Sequence, residues 1–217
     1  MTFNNKKIAF FLGLAVLLMT FTGVFMMNSQ AANVRTENGE IKVFLGSTDD
    51  LNFFEAKAYA KEQDSVLEQF SSEMPEETGK VLISFDKFLT LEEVRNTIPN
   101  ESAVTAVYLW VPNKTGRAMV IVDGGDIQTS IDNWIASLDL GGREDSEYKR
   151  DMLDLKENYG IFAVEAEDQY KEISLLTKTP SVKQVDVFYN EYAEKLSADT
   201  GYYISYIAVP EKPDGTD

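Results

Sequence analysis

Residues 8–27 contain no charged side chain, and this run constrains the fold of the chain more than any other feature. As an α-helix, a run of about 20 residues spans about 30 Å, which is the thickness of the hydrocarbon core of a bilayer. Lys6 and Lys7 precede the run and are the only charged residues among the first 32. Because positive charge stays on the cytoplasmic side, the sequence predicts that the amino terminus is inside and that the bulk of the protein is extracytoplasmic.

Two interpretations of residues 1–32 remain open. The run at 8–27 is longer than the apolar stretch of about 7–15 residues in a typical signal peptide, which favours an uncleaved, single-pass membrane anchor. Ser29, Gln30 and Ala31 resemble a cleavage site, and cleavage there would release a secreted protein. The chain contains no Cys, which excludes a lipidated amino-terminal cysteine.

The composition excludes several function classes. The chain has 20 Lys and Arg against 36 Asp and Glu, and its formal charge is −16. Since two lysines lie in the leader, the exported part carries −18, which argues against binding to nucleic acid or to anionic lipid through a basic patch. With no His and no Cys, the chain cannot form a Ser-His-Asp triad, a Cys nucleophile, a disulfide or an ordinary zinc site. We therefore expect no catalytic residues, no cofactor and no metal.

The exported part mixes strand and helix patterns, and this mixture predicts an α+β fold with a mixed or mostly antiparallel sheet. Residues 103–111 and 117–122 form a predicted hairpin. The predicted strands are 41–45, 80–85, 103–111, 117–122, 161–164, 182–188 and 202–209. The predicted helices are 53–74, 90–98, 130–138, 146–158, 168–177 and 191–196. Four parts are expected: a leader (1–32), a tether with a short strand and a helix (33–79), the main domain (80–209) and a polar tail (210–217).

Local sequence patterns predict where two of the helices begin and which faces of a strand and a helix are buried. Thr90 and Glu93 have the spacing of a capping box, and Ser130 is predicted to cap the helix that follows it. Val81, Ile83 and Phe85 alternate, which is typical of a strand with one apolar face. Five residues of the helix at 53–74 are expected on one buried face. They are Phe54, Ala58, Val66, Leu67 and Phe70.

Aromatic side chains are the best candidates for binding a partner, because they offer a large contact area. We select Tyr108, Trp110 and Tyr203. Tyr108 and Trp110 alternate along one strand and should share a face, while Tyr203 is expected to be exposed. For Trp110, packing in the core is the favoured interpretation, because aromatic residues dominate protein cores. Five aspartates could supply carboxylate oxygens to calcium, but the EF-hand pattern is missing around them. They are Asp49, Asp50, Asp123, Asp126 and Asp132.

Five short segments, taken in order, resemble a known family. They are 84–87 (SFDK), 91–94 (LEEV), 108–112 (YLWVP), 159–164 (YGIFAV) and 179–183 (TPSVK). Over residues 80–190 the chain resembles the extracytoplasmic, carboxy-terminal domain of sigma factor regulators, the anti-sigma-like membrane proteins of Gram-positive bacteria. The resemblance implies a sensory or interaction domain and no catalytic residues. Only seven residues precede the apolar run, so we do not expect the cytoplasmic segment with which an anti-sigma factor holds its sigma factor.

Three functions follow, in order of preference. The first is a membrane-tethered, non-enzymatic binding or regulatory domain, whose partner is a protein or envelope component with a basic patch on the outer face of the membrane. The second is an immunity or inhibitor protein that neutralises an exported toxin or enzyme. The third is an envelope hydrolase, which would require two close carboxyl groups with raised pKa values in a cleft.

Overall fold

The computed structural model describes residues 34–46, 48, 51–111, 116–139, 158–188, 193–194, 197–199 and 201–213. The predicted leader at 1–32 lies outside these residues, as do Asp49 and Asp50. Nearly all residues of the two predicted helices, 146–158 and 191–196, also lie outside the described ranges. No helix in the described part of the chain is long and apolar enough to cross a membrane.

The described residues form eight strands and four α-helices. The strands are β1 (Val34–Glu37), β2 (Glu40–Leu45), β3 (Thr78–Leu89), β4 (Val104–Val111), β5 (Gly116–Ile121), β6 (Gly160–Gln169), β7 (Val182–Val187) and β8 (Tyr203–Ala208). The helices are α1 (Phe53–Glu73), α2 (Leu91–Thr97), α3 (Ile127–Asp139) and α4 (Tyr170–Leu176).

The strands form two sheets, and the predicted α+β class with a mixed or antiparallel sheet is confirmed. The larger sheet has the order β5-β4-β6-β3-β7, and all its neighbours are antiparallel. The smaller sheet has the order β1-β2-β8, with β1 antiparallel and β8 parallel to β2. The predicted hairpin is the β4–β5 pair.

The helices cover one face of the five-stranded sheet, because each brings apolar side chains to the same core. Val81, Ile83 and Phe85 of β3 point into it, as their alternation predicted. The helices contribute Val66 and Leu67 from α1, Leu91 and Val94 from α2, Ile127, Ile131 and Ile135 from α3, and Tyr170 and Ile173 from α4. Each fully buried aliphatic side chain stabilises the fold by about 1.5–3 kcal/mol.

Helix starts follow local hydrogen bonding. The capping box predicted at Thr90 is confirmed, since the Thr90 hydroxyl accepts from the Glu93 N–H and the Glu93 carboxylate accepts from the Thr90 N–H. The prediction that Ser130 caps the next helix was wrong. Asp126 occupies that position, because its carboxylate accepts from the Thr129 N–H at 2.9 Å, and Ser130 lies within the first turn. The helix therefore begins earlier than its apolar pattern indicated.

The expected apolar face of α1 was only partly right. Val66 and Leu67 are buried and Phe70 is partly buried against the same core, but Phe54 and Ala58 are exposed on the first turns of α1. The capping box at Asn52 and Glu55 was missed in the sequence.

The three-stranded sheet packs on the face of the larger sheet that the helices leave open. Leu45 from β2 contributes to a second core with Leu82, Tyr108, Phe162 and Phe188. Residues 34–37, at the start of the part expected to contain the tether (33–79), form a strand, since Val34–Glu37 pair with β2. The residues expected to form a polar tail are partly covered in the structure. The Val209 N–H donates to the Leu45 carbonyl, and the next two residues, Pro210 and Glu211, are buried.

Candidate functional site

Tyr108 and Trp110 lie together on the face of the five-stranded sheet opposite the helices, as their alternation predicted. The Tyr108 ring is buried, 6.3 Å from the Phe162 ring. The Trp110 ring is half-buried, 5.8 Å from the Phe88 ring, with the Lys212 ammonium 5.5 Å from its centroid. Leu109 points into the helix-side core, so both faces of β4 are packed. Tyr108 therefore offers a partner little surface, and Trp110 offers part of its ring.

A polar cluster surrounds the Tyr108 hydroxyl, which donates to Glu165 Oε1 at 2.6 Å. The Lys80 ammonium pairs with the second oxygen of Glu165 and lies 4.9 Å from the centroid of the Phe188 ring. Burial, followed by the hydrogen bond to Glu165, raises the pKa of Tyr108 well above its ordinary value. The phenol thus stays a neutral hydrogen-bond donor, and its arrangement is structural.

Tyr203 lies apart from this pair, at the start of β8 in the smaller sheet. It is 69% exposed, and it belongs to neither core. Tyr206, further along the same strand, packs against Phe188 with ring centroids 5.6 Å apart. The structure therefore brings two of the three selected aromatics together and places the third on the surface of the other sheet. A binding role for all three stays a prediction.

An exposed apolar edge on β5 was missed by the sequence reasoning. We call Met119 and Ile121 the β5 rim; these side chains are 50% and 63% exposed, on the face opposite the helices. The alternation of residues 117–122 places Met119 and Ile121 on one face of the strand and Val120 and Val122 on the other. Val120 and Val122 are in the core. β5 ends the sheet order and pairs with β4 alone in the described residues.

Two acidic side chains of β6, the buried Glu165 and the exposed Glu167, lie on the same face as the β5 rim, with β4 between them and the rim. Ile121 pairs with Ala106 of β4, and Ala106 pairs with Glu165 of β6. Glu167 follows two residues later along β6 and is exposed. Since side chains two residues apart share a face of a strand, the rim is an apolar edge with carboxylates near it.

A second polar site lies under the carboxy-terminal residues. The Asp186 side chain is fully buried, and its Oδ1 accepts from the Tyr59 hydroxyl at 2.6 Å and from Gln184 Nε2 at 2.7 Å. In the part of the chain described here, Asp186 Oδ2 and Glu211 Oε1 have no hydrogen-bond partner. Glu211 is also buried, and its other oxygen lies 3.3 Å from the Lys183 ammonium.

Burial raises the pKa of Asp186 to about 7, and the charge of Glu211 acts in the same direction. The two carboxyl groups are close and one has a raised pKa, which is the pattern expected of a hydrolase. However, both are buried, so no substrate reaches them in this conformation.

Two of the five aspartates considered as calcium ligands, Asp126 and Asp132, have other partners. Both oxygens of Asp126 accept from Thr129, and Asp132 accepts from Gln128 Nε2 at 3.1 Å. No group of three or more Asp or Glu residues in the described ranges could hold a metal ion.

Comparisons with protein-family models, with curated proteins and with solved structures found no match to this chain.

Proposed function

We propose that the chain is a membrane-tethered, extracytoplasmic binding domain without catalytic activity. Its regulatory role would resemble that of the sensory part of a sigma factor regulator. The β5 rim carries this proposal, because it joins exposed apolar side chains to a strand edge that pairs with no other strand among the described residues. The tether is the apolar run at 8–27, which is long enough to span a bilayer.

The β5 rim suits a protein partner. An edge strand with exposed apolar side chains is a liability in a free monomer, and proteins normally cover or charge such edges. A partner strand added beside β5 would pair with its backbone and cover Met119 and Ile121 together. Full burial of such a side chain contributes about 1.5–3 kcal/mol, so the two form an adequate centre for an interface.

Charge adds selectivity for a basic partner. The exported part has a formal charge of −18, and the exposed Glu167 lies on the same face as the rim, whereas Glu165 is buried and paired with Lys80. Opposite charge accelerates encounter at low salt and disfavours acidic proteins. The partner is therefore an exported or envelope protein with a basic patch around an apolar strand.

Site-specific photocrosslinking in the producing cells tests the proposal. A photoreactive residue replaces Ile121 in one strain and Leu175, an equally exposed position on α4, in the control strain. We expect one basic envelope or exported protein to be captured at position 121 alone. Ile121→Asp in the full chain should then weaken binding of that purified protein at least tenfold, whereas Leu175→Asp should not.

The result also separates the two binding functions. Capture of an exported toxin or enzyme that the chain inhibits would favour immunity. Capture of an envelope signalling protein would favour regulation. Equal capture at both positions, or binding that Ile121→Asp leaves unchanged, would contradict the proposed surface.

A further inference from the structure

The first turn of α1 carries two exposed aromatic rings. Phe53 and Phe54 are 74% and 80% exposed, and their ring centroids are 5.7 Å apart. Tyr59 is the residue of this part of α1 that joins the helix to the body, through the Gly46 N–H at 3.3 Å and the Asp186 carboxylate. Phe53 lies six residue steps before Tyr59 along α1, so the helix continues for about 9 Å beyond this contact.

The amino-terminal end of α1 lies near Val34, the start of the described residues. Val34, the first described residue, pairs with Val43 of β2, three residues before Gly46. Gly46 in turn contacts Tyr59. The amino terminus of α1 and the start of β1 are therefore at the same end of the protein.

The apolar run ends close to the same point. Seven residue steps separate Met27 from Val34, and a chain spans at most about 3.6 Å per residue. If residues 8–27 stay in the bilayer, the start of β1 is held within about 25 Å of the end of the apolar run. With that tether in place, the exposed phenylalanines lie at the end of the body that is tied to the membrane.

We infer that Phe53 and Phe54 insert into the interfacial region of the membrane that anchors the chain, and so fix the orientation of the exported body. This inference rests on the tether in the proposed function. Phenyl rings bury a large apolar area at little entropic cost, and membrane-surface helices commonly use them for this purpose. Two rings bind weakly alone, but a short tether supplies an effective concentration in the millimolar range.

Charge predicts which lipids favour the contact. The exported part is strongly acidic, so anionic headgroups repel it. Beside the two phenylalanines, the first turns of α1 carry one acid (Glu55) and one base (Lys57). Insertion should therefore be apolar in origin, complete in phosphatidylcholine bilayers, and weaker as anionic lipid is added.

The experiment uses the full chain reconstituted into phosphatidylcholine nanodiscs. Because the chain has no Cys, a single Lys57→Cys substitution carries an environment-sensitive fluorophore beside the two phenylalanines. Glu73→Cys, about 24 Å from position 57 at the other end of α1, carries the control fluorophore. We expect a blue-shifted emission, quenched by spin-labelled lipid, at position 57 and not at position 73.

Substitutions then identify the rings as the cause. Phe53→Ser with Phe54→Ser should abolish the shift and the quenching at position 57, and Leu175→Ser, an exposed apolar residue elsewhere, should leave both unchanged. Circular dichroism and the Tm of the double variant report whether the fold survives. If the fold survives and the quenching persists without the rings, the inference is wrong.

Other outcomes separate the inference from the tether. Carbonate extraction of cells shows whether the full chain stays in the membrane. A chain that stays there but has a water-exposed fluorophore at position 57 overturns the insertion and leaves the tether intact. Release of the mature chain into the medium overturns both. A shift that depends on protein density but not on the lipid quencher would instead show that a second copy covers the rings.

Discussion

Asp186→Asn should remove a large part of the pH dependence of stability. Burial raises the pKa of Asp186 from an ordinary value of 3.8 to about 7. Below pH 4 the carboxyl group is protonated in both the folded and the unfolded chain, so its contribution is fully present. Between pH 4 and 7 only the unfolded chain loses the proton, and the free energy of unfolding falls by about 1.4 kcal/mol per pH unit. Over this interval the loss amounts to about 4 kcal/mol.

The asparagine variant keeps the geometry but not the charge. Its Oδ1 still accepts from Tyr59 and Gln184, and the amide that replaces Oδ2 cannot ionise beside Glu211. We therefore expect the difference in free energy of unfolding, variant minus wild type, to rise by about 4 kcal/mol between pH 4 and pH 8 in favour of the variant.

Urea unfolding of the full chain in mild detergent, followed by tryptophan fluorescence at each pH, measures this difference. Trp110 and Trp134 both pack against the cores, so their emission reports unfolding. Glu68→Gln, at an exposed position on α1, is the control and should retain the wild-type pH dependence. Parallel pH profiles for Asp186→Asn and wild type would refute the reasoning, because they would mean that Asp186 is ionised in the folded protein.

Two further predictions concern local structure. Thr90→Ala removes the hydroxyl that accepts from the Glu93 N–H, so it should lower the free energy of unfolding in urea by about 1 kcal/mol. Thr177→Ala, at an exposed position after α4, is the control and should lower it less. Equal effects would contradict the capping role of Thr90. Gly79→Ala places a Cβ against the Tyr170 ring, so it should cost about 1–3 kcal/mol. Gly124→Ala provides a contrast in differential scanning calorimetry, because only its positive φ, and no neighbouring atom, opposes the new methyl group. A loss at Gly79 no larger than that at Gly124 would show that the Tyr170 ring moves aside freely.

Periodicity and local chemistry determined most of the elements. The alternation of Val81, Ile83 and Phe85 marked β3, and the 90–93 spacing marked the start of α2. These features depend on neighbours within a few residues along the chain, which is why one sequence suffices to read them. Tyr108 and Trp110 could be placed on one face for the same reason.

Tertiary structure alone decided which residues are covered. Val34–Glu37 read as a polar tether, yet β2 offers them a partner strand, and Glu211 reads as tail but is buried beside Asp186. Phe54 has the spacing of a core residue, yet nothing in the described structure lies over it. Burial depends on elements distant in sequence, such as β8 beside β2, and no local pattern encodes that pairing. The sequence by itself therefore determined the charge, the apolar run and the elements, while the docking of the two sheets decided that Asp186 is hidden and that the β5 rim and the phenylalanines are exposed.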